Sequence, residues 1–551
     1  MVSPLIRDTV YGAVEGVEEP GVYSWKGIPF AQPPVGVLRW RAPVEPIAWT
    51  GTRPARQFGN ASAQFGRLFG PGANNRFDAT IGATLNTAVG SEDCLTLNIW
   101  RPAGGARDLP VIYFIYGGSN FSGYTADPMY DGAALAKSAD AVVVTANYRL
   151  GIFGWFDMAA LKTGDDSHGD SGNFATLDQI QTLNFISRNI ANFGGDPGNV
   201  TLMGESAGAM NVFSLLTSPL VAAARPALFH RAVAMSGGLA TAEELPEGAI
   251  PMLLPASYGP EQSARILASL LIADGNAADE AGAAAYAAKL GKAEIAAYMR
   301  SKTPAELFAQ LLTKLAPLGY ARVSHFPDGV VVANTPIAAI KSGNYVKVPV
   351  LAGNCRDEGR LFGVLLAASP KLGGKSGYKV SDAGRFDLMT RFDPDAPPSL
   401  TVADVIEPSF LPVDAPDTGY KALTALFGHL LFEANRDAII GALNAAQPDI
   451  WHYQFDWDKE ASPWDDVYGA AHAFDLPFIF GNFGPALLTS VIGGEANEAG
   501  RLALSAAMMK ALGAFARNGD PNTPELGTVW PTWPKALHFD ATQTDKVISV
   551  S

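Results

Sequence analysis

Cysteine and charged residues are both scarce in this sequence. Only Cys94 and Cys355 occur in 551 residues, and neither lies in a Cys-x-x-Cys or metal-ligand spacing. A disulfide-based scaffold is therefore excluded, although one bridge remains an alternative to two buried free thiols. Charged residues make up 17% of the chain and hydrophobic residues 48%. This balance is typical of a globular protein with a large core.

Basic residues and long apolar runs are also few. The 40 Lys and Arg residues against 54 Asp and Glu give a net charge of −14, which disfavours nucleic acid and anionic membrane surfaces as partners. No stretch of about 18 uncharged apolar residues predicts a membrane-spanning helix. The start of the chain lacks the basic segment and apolar run of a signal peptide. We therefore expect a soluble protein that is cytoplasmic, or periplasmic or secreted if a signal peptide was removed before residue 1.

The chain does contain short apolar runs rich in β-branched residues, separated by helix-like stretches such as 176–190. Such runs are typical of strands buried on both faces, and the alternation predicts an α/β fold with a mostly parallel central sheet. We expect one domain over residues 1–551. The runs are 111–116, 141–146, 200–203, 231–235, 348–353 and 450–455.

Two long regions, about 256–345 and about 400–448, interrupt the strand pattern with alanine-rich, helix-like segments. Insertions at the carboxyl edge of a sheet commonly form lids or pocket walls. We therefore predict helical insertions that form the walls of a pocket.

The segment "NVTLMGESAGAMN" (199–211) contains the candidate nucleophile, Ser206. A Gly-x-Ser-x-Gly pattern alone is weak evidence in a glycine-rich chain. Here it directly follows an apolar strand and precedes a helix-like stretch, which is the context of a nucleophile elbow. Gly204 and Gly208 suit that sharp turn, because side chains at either position would collide with the neighbouring strand and helix.

A serine hydroxyl needs a histidine base to attack an ester. Hydrolases with a nucleophile elbow carry serine, acid and histidine in that order, which excludes His168. His472 lies in a polar-flanked loop just after the run 450–455, whereas His452 lies inside that run. His230 and His429 lie in apolar surroundings that favour a structural role.

The acid should follow a strand between the serine and the histidine. Asp357 and Glu358 both follow the run 348–353, and the pattern alone leaves the choice between them open. The stretch "IYGGSNFSG" (115–123) follows another strand, and its glycine pair would let backbone N–H groups turn toward an oxyanion.

Together these motifs resemble the type-B carboxylesterases of the α/β-hydrolase fold, a family that includes bacterial para-nitrobenzyl esterases, mammalian carboxylesterases and cholinesterases. The resemblance extends from about residue 12 to 549. Its motifs are "WKGIPFAQPPVGVLRWRAP" (25–43), "SEDCLTLNIWRP" (91–102), "NYRLGIFGW" (147–155), "GNFATLDQIQTLNFISRNIANFGGDP" (172–197), "GESAG" (204–208), "NCRDEG" (354–359), "GAAHAFDLPFIFG" (469–481) and "WPTW" (530–533).

The resemblance implies a bacterial-type serine carboxylesterase that acts on small-molecule esters through an acyl-enzyme. It needs no cofactor and no metal, and it is a monomer or a weak homo-oligomer. The implied residues are Ser206 as nucleophile, Glu358 rather than Asp357 as acid, His472 as base, and Gly118, Ser119 and Ala207 as oxyanion donors.

The resemblance also implies structural roles for several charged residues. Arg39 should pair with Glu92, and Arg149 with Asp178, as buried ion pairs. Glu205, next to the nucleophile, should be a supporting carboxylate.

The sequence departs from the family pattern at three points. No cysteine between residues 55 and 93 is present to pair with Cys94, and residues 78–90 lack the tryptophan with which cholinesterases bind choline. Choline esters are therefore not favoured substrates. Tyr116 and Ser119 stand where bacterial relatives usually have histidine and glycine.

Two rival functions remain at this stage. An amidase or thioesterase would use the same three residues. A non-catalytic binding protein on the same fold would have lost the serine or its partners, and this sequence keeps all three.

Overall fold

The apolar runs of the sequence form the middle of one large sheet. The computed structural model describes residues 3–551, and eleven strands of this range pair in that sheet. Every residue of Leu109–Ile115, Val142–Ala146 and Val350–Cys355 is buried, because helices and loops cover both faces.

Strands and α-helices are the main regular elements within residues 3–551. The strands are β1 (Ile6–Thr9), β2 (Gly12–Glu15), β3 (Val17–Glu19), β4 (Val22–Pro29), β5 (Thr52–Pro54), β6 (Gln64–Phe65), β7 (Ala88–Val89), β8 (Thr96–Pro102), β9 (Leu109–Ile115), β10 (Val142–Ala146), β11 (Gly195–Glu205), β12 (Arg231–Met235), β13 (Val350–Cys355), β14 (Ile450–Phe455), β15 (Leu537–Ala541) and β16 (Lys546–Val550). The α-helices are α1 (Ile81–Thr84), α2 (Ala133–Ala139), α3 (Gly151–Gly154), α4 (Phe174–Asn189), α5 (Ala207–Thr217), α6 (Pro219–Ala222), α7 (Tyr258–Ala273), α8 (Glu280–Ala287), α9 (Lys292–Ser301), α10 (Pro304–Gln310), α11 (Pro336–Lys341), α12 (Asp382–Thr390), α13 (Val402–Val405), α14 (Tyr420–Gly428), α15 (Ala434–Ala446), α16 (Trp464–Val467), α17 (Leu476–Phe480), α18 (Thr489–Ile492) and α19 (Glu498–Asn518).

The main sheet has the order β16-β15-β14-β13-β12-β11-β9-β10-β8-β4-β3. Strands β9 to β15 pair in parallel, and the antiparallel pairs lie at the two ends of the sheet. The predicted mostly parallel central sheet is therefore confirmed. Parallel strands place their carboxyl ends at one edge, so the loops after β9, β11, β13 and β14 meet there.

Long helices cover the sheet. Helix α4 is buried along most of its length, and α5 packs on β11 and β12. The longest helix, α19, packs against α2 and α17 and ends at Gly519. Gly519 has φ of 80°, the left-handed conformation that commonly ends a helix.

The two predicted insertions are helical. The first contains α7 to α11, and the second contains α13 to α15. Apolar residues of α7, α9 and α10 pack around Trp40 and Phe153 in a cluster separate from the core of the sheet. That the whole chain forms one domain stays a prediction.

Both predicted ion pairs are confirmed. Arg149 follows β10 and donates from Nε and Nη2 to both carboxylate oxygens of Asp178 on α4, over 2.8 and 2.7 Å. Arg39 donates from Nε to Glu92 over 2.6 Å. Arg149 and Asp178 are almost fully buried, so they hold the loop after β10 against α4 through a desolvated bidentate contact.

Cys94 and Cys355 are buried and free, which confirms the prediction of two thiols over a bridge. Burial raises the pKa of the Cys94 thiol to about 12, so this thiol is unreactive at neutral pH. Within residues 3–551, no helix combines the length and apolar character needed to cross a membrane.

Candidate active site

Ser206 lies in a strained turn between β11 and α5. Its φ and ψ angles are 59° and −123°, a conformation that costs a residue with a side chain about 1–3 kcal/mol. Its N–H donates to the carbonyl of Met235 over 2.8 Å, and its own carbonyl accepts from Ala209 over 2.9 Å. A side chain at Gly204 or Gly208 would place Cβ within 2.3 Å of a carbonyl oxygen. The predicted elbow geometry is therefore present, and it presents Ser206 to a cavity.

The structure brings His472 and Glu358 together. His472 Nδ1 donates to Glu358 Oε2 over 2.5 Å, and both side chains are buried. The other carboxylate oxygen accepts from Asn354 Nδ2 at 3.0 Å and from the Cys355 N–H at 2.9 Å. Three donors thus fix Glu358, and Glu358 in turn fixes the imidazole ring.

Asp357 has other partners although it is adjacent in sequence. Its carboxylate pairs with Arg356 and Arg360 at 2.8 and 2.9 Å. Its N–H donates to the carbonyl of Ala470 over 2.9 Å, which forms a parallel β-bridge between the loop after β13 and the loop that carries His472. Of the two adjacent carboxylates, Glu358 is therefore the one that contacts the imidazole of His472.

The Nε2 atom of His472, unlike Nδ1, has no hydrogen-bond partner within residues 3–551. Nε2 lies 3.0 Å from Glu205 Oε1, but the two groups are not aligned for a hydrogen bond. No hydrogen bond joins Nε2 to Ser206 among residues 3–551. Catalytic hydrogen bonds are often loose before substrate binds, so this geometry does not remove Ser206 from the candidate group.

The buried charges around His472 shift one another. Burial alone would lower the pKa of His472, but the carboxylates of Glu205 and Glu358 outweigh burial and raise it above the ordinary histidine value. Burial raises the pKa of Glu205, and the nearby imidazolium offsets this only in part. Burial also raises the pKa of Asp475 to about 6, although Tyr453 donates to this carboxylate over 2.6 Å.

The loop after β9 lies against the nucleophile. A Cβ on Gly117 would be 2.7 Å from Ser206 Cβ, so only glycine permits this approach. The next three residues, Gly118, Ser119 and Asn120, all have positive φ angles of 99°, 55° and 62°. Within residues 3–551, the N–H groups of Gly118, Ser119 and Ala207 donate to no other group. They are available as oxyanion donors.

Tyr116 supports this loop from the core side. Its ring stacks on Tyr148 with centroids 4.6 Å apart, and the Tyr148 hydroxyl donates to the Tyr116 carbonyl over 2.7 Å. Tyr116 is fully buried and does not line the cavity. The tyrosine that departs from the family pattern therefore acts through packing, while Ser119 lines the cavity itself.

Ser206 and His472 face a cavity of about 300 Å³. Its walls come mainly from 67–81, 117–130, 361–365 and 486–488. The two helical insertions do not supply these walls. The first insertion instead lines a neighbouring, largely apolar cavity of about 280 Å³, which shares Arg67 and Phe121 with the first. Phe432 of the second insertion does not line the Ser206 cavity, but its ring centroid lies 4.6 Å from that of His472.

Sequence reasoning missed both arginines that line the cavity, Arg67 and Arg385, and the carboxylates Asp127 and Asp382. Arg67 follows the short strand β6, and Arg385 lies on α12, a helix outside both predicted insertions. No motif marks either position, because the elements that bring them together are far apart in the chain. Asp475 was also missed, although it follows His472 by only three residues.

The other histidines do not line this cavity. His168 is exposed, and His429 pairs with Glu433 on the surface. His325 is fully buried, and burial lowers its pKa to about 3, so it is a neutral core residue. Within residues 3–551, no group of three His, Cys, Asp or Glu side chains is arranged to hold a metal ion.

Comparisons with known proteins agree over the length of the chain. The carboxylesterase family model matches residues 3–549. The chain is 33% identical over 532 residues to the fumonisin B1 esterase of Sphingopyxis macrogoltabida, which covers 96% of this chain and 84% of that protein. It is 29% identical over 530 residues to the para-nitrobenzyl esterase of Bacillus subtilis (strain 168), with coverages of 96% and 92%.

A solved structure of a PNB esterase superposes on all of this chain and 97% of its own, with a TM-score of 0.73 and 26% sequence identity. The α/β-hydrolase fold predicted from the motifs is therefore confirmed. Because the family match covers nearly every residue, the chain belongs to the carboxylesterase family and is a carboxylic ester hydrolase.

Proposed function

We propose that this esterase works by acyl transfer to Ser206, with His472 as the base and Glu358 as the acid that orients it. The observation that carries the proposal is the strained elbow at Ser206, which opens on the same cavity as a buried histidine held by Glu358. Strain of this kind persists only where the surrounding structure enforces it, and it commonly marks functional sites.

In the proposed reaction, Ser206 Oγ attacks the ester carbonyl and its proton passes to His472 Nε2. The tetrahedral oxyanion accepts N–H bonds from Gly118, Ser119 and Ala207. His472 then gives the proton to the departing alcohol, and a water molecule hydrolyses the acyl-enzyme by the same steps. Neither a metal nor a cofactor enters this sequence.

Nucleophilic attack requires Ser206 Oγ to reach hydrogen-bonding distance of Nε2. Nε2 instead lies 3.0 Å from Glu205 Oε1 and has no hydrogen bond to Ser206 within residues 3–551. A rotation of the serine side chain toward the imidazole is therefore part of forming the productive complex.

We infer that the substrates are small-molecule esters. The named relatives act on fumonisin B1 and on para-nitrobenzyl esters, and the cavity of about 300 Å³ next to another of about 280 Å³ leaves room for substrates between these sizes. We also propose a soluble protein that is monomeric or associates weakly.

A fluorophosphonate probe tests the nucleophile directly. We expect one adduct per chain, on Ser206, when the intact protein is labelled and its peptides are sequenced by mass spectrometry. Ser206→Ala should remain unlabelled and serves as the control. An adduct on another residue in the native protein would contradict the assignment.

The amidase and thioesterase alternatives can be separated by substrate. We expect p-nitrophenyl acetate to be hydrolysed faster than the matched p-nitroanilide and an alkyl thioester of the same acyl group. A higher kcat/KM for the anilide or the thioester would assign the same three residues to that alternative reaction.

A further inference from the structure

Arg67 is an unpaired guanidinium in the wall of the Ser206 cavity. It lies over the rings of Phe65 and Phe121, with centroid distances of 5.7 and 5.4 Å. Its Nε is sealed from solvent and has no acceptor among residues 3–551. Burial lowers the pKa of this arginine, and the charge of Asp382 offsets burial only in part.

Arg385 is a second, more deeply buried guanidinium in the same cavity. It is 4% exposed and lies 4.2 Å from the ring centroid of Tyr378. Its Nη2 donates to Asp382 over 2.7 Å, but its Nε and Nη1 have no acceptor in the described part of the chain. Asp382 therefore satisfies only one edge of this group.

The carboxylates of the protein do not fill the remaining donor sites. Asp382 binds Arg385, Asp127 accepts the N–H of Met129, and Glu205 lies beside His472. A buried donor without an acceptor is destabilising, and a charged donor is more so. Stacking on an aromatic ring offsets part of this cost but provides no acceptor for an N–H group.

Packing alone would explain two arginines held against aromatic rings. It does not explain why both guanidinium groups line the cavity that contains the nucleophile, with donor edges left unused. A planar carboxylate matches those edges, because a guanidinium offers five N–H donors in a fixed fork. Such charge-assisted bonds are about twice as strong as neutral ones.

We propose that Arg67 and Arg385 form a carboxylate-binding subsite, so that the favoured substrates are esters that carry a free carboxylate group. Half-esters of dicarboxylic acids and acyl esters of hydroxy acids are the two chemical classes that fit. The proposal rests on the function proposed above, since the subsite lies in the cavity of Ser206.

Two matched substrate pairs test the subsite. Ethyl hexanoate and monoethyl adipate differ by a terminal carboxylate on the acyl side, and hexyl acetate and ω-acetoxyhexanoate differ in the same way on the alcohol side. We expect kcat/KM of the native protein to favour the anionic member of at least one pair by about tenfold or more, which corresponds to about 1.4 kcal/mol. Product chromatography gives all four rates.

Charge-removing variants then assign the preference to residues. Arg67→Gln and Arg385→Gln should each abolish most of it, measured as the ratio of kcat/KM between the anionic and the neutral member of each pair. Arg76→Gln makes the same change at an exposed position near Arg67 that does not line the cavity, and it should keep the preference. Asp382→Asn should strengthen the preference, because it removes a negative charge that offsets both arginines and repels a substrate carboxylate.

A binding measurement covers the case in which an arginine variant fails to fold. In the native protein, hexanoate should inhibit hydrolysis of p-nitrophenyl acetate, of which it is not a product, competitively and more strongly than hexanol does. Equal kcat/KM within both substrate pairs, or a preference that survives both arginine substitutions, would overturn the subsite. Turnover of the neutral esters would still support the proposed esterase function in that case. Loss of all turnover together with absence of a Ser206 adduct would instead overturn the proposed function.

Discussion

The two nitrogen atoms of the His472 ring lie in contrasting surroundings. On the Nδ1 side, Glu358 is held by two N–H donors, from Asn354 and Cys355, and contacts the ring over 2.5 Å. On the Nε2 side, Glu205 approaches to 3.0 Å without an aligned bond, and its Oε1 has no hydrogen-bond partner within residues 3–551. One side is saturated with hydrogen bonds, and the other is not.

This difference separates orientation from proton affinity. Glu358 determines where the ring lies, because its own position is fixed by the backbone and by Asn354. Glu205 influences how readily the ring holds a proton at Nε2, the atom that must accept one from Ser206. Two glutamates that contact the same ring are therefore expected to respond differently to the same Glu→Gln substitution.

Ser206→Ala should have the largest effect. Its residual kcat is the lower limit against which the two glutamate variants are compared. We expect kcat to fall by about 10⁴- to 10⁶-fold, because the three residues act as a unit. The measurement is steady-state hydrolysis of p-nitrophenyl acetate, with circular dichroism as the control for folding. A folded variant that keeps native activity would contradict the assignment of Ser206 as nucleophile. The roles proposed for both glutamates would then also be contradicted.

Glu358→Gln should have the next largest effect, a loss of about 10²- to 10⁴-fold in kcat, since the amide no longer holds the productive imidazole tautomer. Asp357→Asn is the matched control. It alters the adjacent side chain, which contacts Arg356 and Arg360 rather than the imidazole, and it should keep kcat within about threefold. The reverse ranking would show that the saturated side of the ring is not the one that supports catalysis.

Glu205→Gln should be milder, with a change in maximal kcat of less than about tenfold, and should appear mainly in the pH profile. The native carboxylate raises the pKa of His472, so its removal lowers that pKa. A base works only when it is deprotonated, and the acidic limb of kcat/KM should therefore move to lower pH. A limb that moves to higher pH, or stays in place, would contradict the role given to Glu205.

Ser119→Gly should have the smallest effect on small acetyl esters, with kcat kept within about tenfold. The donor is a backbone N–H, which glycine retains, and φ of 55° suits glycine better than serine. Selectivity among larger esters should change, because the serine side chain lines the cavity. A loss of a hundredfold or more on both a small and a bulky ester would show that the hydroxyl supports the transition state.

The sequence was informative where neighbouring residues determine the structure. The elbow at Ser206 depends on a strand, two glycines and a helix within a few positions, and the buried strands follow from continuous apolar runs. Asp357 and Glu358 could not be separated by pattern, because adjacent side chains point in different directions and the partners of each lie elsewhere in the chain. The resemblance to the family favoured Glu358 over Asp357 as the acid. In the structure, hydrogen bonds to Asn354 and His472 hold the Glu358 carboxylate against the imidazole.

The cavity walls were the least predictable part. They come from loops and short helices without hydrophobic periodicity, and the prediction that the two helical insertions form them was wrong. Arg67 and Arg385 are separated by more than 300 positions, and Asp382 binds Arg385 while its charge also acts on Arg67. Their relation depends on the tertiary fold and leaves no local signal in the sequence.

The parallel β-bridge between Asp357 and Ala471 links the two loops that carry Glu358 and His472. The loops that carry Glu358 and His472 are 114 residues apart in sequence, yet this contact fastens them directly to each other, and strands β13 and β14 behind them are also paired. The two loops therefore need no continuous peptide between them to stay aligned. A single protease cut in the exposed segment 396–399 should leave two fragments that remain associated and active, and residual esterase activity after limited proteolysis would measure this.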